Sequence, residues 1–134
     1  MASKEQIAAF LKSELPQTQC IVEEVGELSS RLRYKIGNNH LRPGGTVAGP
    51  VLMEVADVAI YVAILGELGL VALAVTTSLT INFLRKPSAE KDIIGVCQIL
   101  KNGKRLVVGE VSLFSEGDDE PVAHVVATYS IPPK

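Results

Sequence analysis

Hydrophobic and polar positions change period along the chain, and the changes lay out its elements. Residues 4–15 carry Ile7, Ala8, Phe10 and Leu11 along one side at helical spacing, with Ser3 placed to cap the first turn and Pro16 to stop the last. Two short runs with β character follow at 20–25 and 31–36; the second alternates Leu32, Tyr34 and Ile36 with Arg31, Arg33 and Lys35. Residues 37–49 hold Asn38, Asn39, Pro43, Gly44 and Gly45, and read as a loop. From Pro50, a residue tolerated in a first turn, the segment to Leu65 is apolar nearly all round. That pattern predicts a helix buried on every side and ended by Gly66 and Gly69. The remainder predicts four strands at 71–84, 92–101, 105–115 and 122–131, joined as an antiparallel meander. Its turns fall at 86–91, 102–103 and 116–120, and Asn102-Gly103 is the strongest hairpin signal. One long helix needing burial and one curling antiparallel sheet predict an α+β fold, the helix lying in the sheet's concave face.

Composition narrows the class. The 134 residues, 47 % of them apolar, make a single domain over 1–134 with enough chain to bury a core. Thirteen Lys and Arg against fifteen Asp and Glu give a net charge of −2, which argues against both disorder and a dedicated nucleic-acid binder. Cys20 and Cys97 form no disulfide framework and no zinc-type spacing. Residues 1–12 lack the pattern of a secretory signal, and the apolar stretch 55–70 is broken by Asp57, Gly66, Glu67 and Gly69. The expectation is a soluble cytoplasmic protein with neither a membrane nor a nucleic acid as partner.

Within the apolar helix the charged residues are Glu54 and Asp57, three apart and so on one face, with Tyr61 continuing the polar stripe. A carboxylate there must be solvated, hydrogen-bonded or paired. Either the pair lines a cleft, one member serving as general base or nucleophile, or this face simply meets solvent or another subunit. The glycines ahead of the helix, Gly44, Gly45 and Gly49, allow close backbone approach, and free first-turn amides suit an oxyanion. Pro50 has no N–H, so Gly49 and Val51 are the candidate donors; the plainer reading is a loop-to-helix turn. His40 and His124 stand far apart without acidic neighbours in sequence and read as structural. Ser112, Ser115 and Ser130 lie in no nucleophile elbow, and there is no Walker or Rossmann signature. The basic groups Arg85-Lys86, Lys101 and Lys104-Arg105 at strand ends either hold phosphates or are merely solvated.

Three motifs together resemble a known family: Gly49-Pro50 followed by Asp57, the run from Ala74 through Asn82-Phe83-Leu84-Arg85-Lys86-Pro87, and Ile99-Leu100-Lys101-Asn102-Gly103-Lys104. Between about residues 31 and 131 the chain is similar to the phenylacetic-acid-degradation branch of the hotdog-fold acyl-CoA thioesterases. The resemblance implies an antiparallel sheet wrapped around one long buried helix, acyl-CoA hydrolysis without a cofactor, and a homodimer or homotetramer with sites between subunits. It places the catalytic carboxylate at Asp57, the oxyanion amide at Gly49 and a water-positioning hydroxyl at or near Thr76. Lys101 resembles a position that meets coenzyme A, while Asn82 and Arg85 belong to the shared strand motif. The chain also departs from the family pattern: Ala48 stands where His is usual, Pro50 replaces a second Gly, and Arg42 stands where Asn is usual. Asn39, His40 or Arg42 are the candidates to replace that Asn, and Glu54 is a secondary site candidate. The rival expectation is a silent hotdog module that binds an acyl-CoA or acyl carrier ligand. A hydratase fits less well, because such enzymes rely on a His that this helix lacks.

Overall fold

The computed structural model describes residues 1–133. The first helix, α1 (Lys4–Glu14), starts under a capping box: Gln6 N–H donates to Ser3 Oγ, and the Gln6 side chain accepts from Ser3 N–H. Its buried residues are Ile7 and Leu11. Strands β1 (Ile21–Gly26) and β2 (Ser29–Tyr34) form a hairpin. The segment expected as plain loop is more ordered than its composition suggests. It holds a 3-10 turn (Asn38–His40) and a ribbon of two short strands, β3 (Leu41–Arg42) and β4 (Thr46–Val47). The ribbon is closed through Gly44 and Gly45, whose φ angles of 99° and 75° favour glycine.

The long helix α2 spans Gly49–Leu68, so Gly66 does not end it. Packing explains the difference: a Cβ at Gly66 would lie 2.6 Å from Val25 Cγ1, so the glycine lets α2 run close over β1. Gly69, at φ 92°, terminates the helix, and a turn through Val71 and Ala74 delays the next strand beyond the expected start at 71. Four strands follow: β5 (Val75–Phe83), β6 (Ile93–Asn102), β7 (Leu106–Ser115) and β8 (Ala123–Ser130).

The sheet order, β1-β2-β6-β7-β8-β5, corrects the four-strand meander. Only β6, β7 and β8 follow one another; β2 joins beside β6, and β5 crosses to the far edge beside β8. The β6–β7 hairpin is also longer than an Asn-Gly two-residue turn. Asn102 still pairs with Val107, and Gly103 N–H donates to Leu106 O at 3.0 Å.

Alternate residues of β6, β7 and β8 face inward and meet α2, whose Val55, Ala56, Ala59, Ile60 and Val62 are fully buried. The closest crossings run over glycine. A Cβ at Gly95 would lie 2.8 Å from Val55 Cγ1. The bare outer edge of β5 carries exposed Val75 and Phe83, each 56 % accessible. No helix among the described residues is long and apolar enough to cross a membrane.

Candidate active site

α2 turns Asp57 outward from the core, toward the first residues of β5 and the last of β8. Thr76 Oγ1 donates to Asp57 Oδ1 at 2.6 Å. The Tyr129 hydroxyl, on β8, lies 2.9 Å from the same oxygen and 3.0 Å from the Asp57 backbone carbonyl. These groups come together because Thr76 and Tyr129 are register partners across β5 and β8. Among the described residues no cation stands within ion-pair distance of Asp57.

Asp57 lies in a cleft of about 380 Å³ whose walls include Val58, Tyr61, Ala74 and Val75, with Phe10 contributed by α1 and Leu15 by the position just after it. The Tyr61 ring stacks on Tyr129 with centroids 6.0 Å apart and planes 16° from parallel, and its hydroxyl donates to Ala72 O. Burial, and then the Glu14 charge, raise the Tyr61 phenol above its ordinary value. The result is a mostly apolar groove with a hydrogen-bonded carboxylate on its wall, suited to an apolar group joined to a polar reacting centre.

Gly49 lies in a second cleft, of about 440 Å³, with Arg42, Thr46, Leu52, Phe83, Arg85, Lys86 and Pro87. Its N–H has no acceptor among the described residues, whereas Ala48 N–H donates to His40 O and Val51 N–H to Ala48 O. Val51 is therefore occupied, and Gly49 is the free amide at the positive end of α2. Phe83 packs so closely that a Cβ on Gly49 would stand 3.2 Å from its ring.

The remaining expected site residues scatter. Glu54 accepts from Thr18 Oγ1 at 2.9 Å and ties the segment before β1 to α2, outside the Asp57 cleft. Arg85 pairs with Glu120 and donates to Pro121 O, which anchors the loop before β8. Arg42 and Lys86, at the Gly49 cleft, have no ion-pair partner among the described residues. Asn39 is exposed in the 3-10 turn, Asn82 is exposed opposite His124, and Lys101 is exposed at the β6 bulge. His40 accepts from Gly37 N–H and meets Gln19. His124 does have an acidic partner, Glu110 of the neighbouring strand at 2.9 Å, which the sequence could not show because the pairing is nonlocal. Burial pushes both thiols, Cys20 and Cys97, up to about 12, so neither is a thiolate nucleophile at neutral pH. Tyr129, absent from the expected set, is the residue that sequence reasoning missed.

A helix enclosed by a six-stranded antiparallel sheet, with a carboxylate on the helix and a free amide at its start, defines the hotdog class. The family profile described as the thioesterase superfamily matches residues 44–122, which hold both Gly49 and Asp57. The chain belongs to that superfamily. Among solved structures, it is similar to a candidate thioesterase from Silicibacter sp. TM1040, with 41 % identity, a TM-score of 0.90, and coverage of 98 % of this chain and 92 % of the other. Zebrafish thioesterase superfamily member 2 shares the fold at 18 % identity and TM-score 0.86, covering 98 % and 100 %. The E. coli PaaI protein of the phenylacetic acid degradation operon does so at 20 % identity and TM-score 0.77, covering 93 % and 85 %. No curated protein matches the chain.

Proposed function

We propose that the protein hydrolyses the thioester of a small or medium acyl-CoA at a site completed by a second copy of the chain. The observation that carries this reading is Asp57, a carboxylate on a largely apolar helix, hydrogen-bonded beside an apolar cleft. In the mechanism, the Asp57 carboxylate takes a proton from water as its oxygen attacks the thioester carbon. The free Gly49 amide stabilises the charge that develops on the carbonyl oxygen. Collapse of that intermediate breaks the C–S bond, and the proton held by Asp57 passes to the departing sulfur. Arg42 and Lys86 flank the Gly49 cleft, where the phosphates of coenzyme A would meet positive charge. No cofactor takes part.

Geometry supports a site shared between copies. Gly49 and Asp57 occupy separate clefts, eight positions apart on one helix, or about 12 Å along its axis. The Gly49 cleft borders the Phe83 end of β5, and the Asp57 cleft borders the Val75 end. Antiparallel pairing of two bare β5 edges about a two-fold axis brings one copy's Phe83 end to the other's Val75 end. Each pair of copies then has two composite sites.

The test is thiol release from short, medium, long and aryl acyl-CoAs, with Asp57→Asn in parallel. Turnover that vanishes in the variant is the expected result. Silence across the panel with acyl-CoA still bound would overturn the hydrolase reading and leave a binding module.

A further inference from the structure

The two carboxylate oxygens of Asp57 are held unequally. Oδ1 receives Thr76 and faces the Tyr129 hydroxyl, while Oδ2 accepts no hydrogen bond from the described residues. The Tyr129 hydroxyl sits between Oδ1 and the backbone carbonyl of the same aspartate, at 2.9 and 3.0 Å. A donor in that position ties the side chain to its own main chain and restricts it to one rotamer.

Tyr129 is itself firmly set. It is 4 % exposed, it follows Val125 and Ala127 along the inward face of β8, and its ring lies on Tyr61. Thr76 is less constrained, being exposed at the start of an edge strand beside a break in register.

We propose that Tyr129 is the positioning residue for Asp57, engaging Oδ1 together with Thr76 and fixing the rotamer so that Oδ2 is the oxygen presented to the attacking water. The inference rests on the reading of Asp57 as general base. Burial, followed by the Asp57 charge, pushes the Tyr129 phenol far above its ordinary value. The hydroxyl therefore remains a donor throughout the pH range in which an esterase works. Its single proton is shared between Oδ1 and the Asp57 main-chain carbonyl, and Thr76 donates to Oδ1 beside it. A phenylalanine at 129 keeps the ring and the stack and removes only the bridge.

The experiment is Tyr129→Phe, read in two ways. In steady-state kinetics kcat falls about 10- to 100-fold while KM stays within about twofold, as when a charged-group hydrogen bond that serves the transition state is lost. By NMR, the Asp57 Hα–Hβ couplings report one rotamer in wild type and averaged rotamers in the variant. The second readout needs no turnover, so a wild type silent on every thioester would overturn the proposed function while the couplings still decide whether Tyr129 sets the Asp57 rotamer. A variant that keeps wild-type kcat, or that keeps the single-rotamer couplings, overturns the positioning role. Thr76→Val in the wild-type background provides a further check: the single-rotamer couplings should persist, and averaging as complete as in Tyr129→Phe would count against the proposal.

Discussion

If each site joins Asp57 of one subunit to Gly49 of another, two inactive variants should restore activity when they share a dimer. The variants are Asp57→Asn, which removes the base, and Gly49→Pro, which removes the amide proton. Proline suits position 49, because prolines are tolerated in a first turn and Ala48 already has the extended ψ of 141° favoured before proline. Its ring must displace Phe83, which is more than half exposed and free to swing outward. Loss of one oxyanion donor costs about 10²–10³ in kcat, so each homodimer is nearly silent. In a random mixture about half of the dimers are hybrids, and a hybrid has one site with both residues intact and one with neither. The mixture should reach about a quarter of wild-type specific activity. Purified hybrid, isolated with two different tags, should reach about half. The assay is thiol release after co-refolding, with subunit exchange verified by mass. Hybrid dimers as inactive as their parents would refute the cross-subunit site, since the roughly 12 Å between the residues on one helix would then need another explanation.

Two further predictions concern the frame around the site. Gly95→Ala puts a methyl 2.8 Å from Val55 in the packed core, an overpacking worth about 1–3 kcal/mol. At about 4 °C per kcal/mol for a chain of this size, Tm should fall by roughly 4–12 °C; an unchanged melting curve would mean that α2 does not rest on β6 there. On the outer face, hydrogen bonds from Arg33 first, and then Arg31, hold the Glu23 carboxyl below its ordinary value of 4.5. The folded state therefore binds this proton less readily than the unfolded one. The advantage of wild type over Glu23→Gln in urea midpoint should be constant above about pH 5.5 and shrink as pH falls below about 4.5. A difference independent of pH would refute that linkage.

Local patterns in the sequence were enough to show α1, the buried character of α2 and the positions of most strands. They did not show partners. Nothing within residues 71–84 says that this strand pairs with β8 and not β6, because a strand's own alternation carries its faces but not its neighbours. Gly66 misleads for a related reason. A glycine costs about 1 kcal/mol inside a helix, but here the close approach to Val25 outweighs that cost. Asp57 stood out as a charge on an apolar helix, and Gly49 as a donor beside Pro50. Thr76 entered only through resemblance. Tyr129 lies 72 positions from Asp57, and its one signal was a polar-tipped ring on the inward side of an alternating strand, which calls for a buried partner.

The wall of the Asp57 cleft draws on Phe10 of α1 and on Leu15 just after it, and α1 packs chiefly on α2 and on β1, at the opposite end of the sheet from the β8–β5 pair that holds Tyr129 and Thr76. Chemistry and shape are therefore encoded in different stretches of chain. Substitutions in the first fifteen residues can deepen, narrow or recharge the groove while the carboxylate and its donors stay where α2, β5 and β8 hold them. A lineage built on this scaffold can change what it accepts by drift at its N-terminus, and an engineer can do so by exchanging a single peripheral helix.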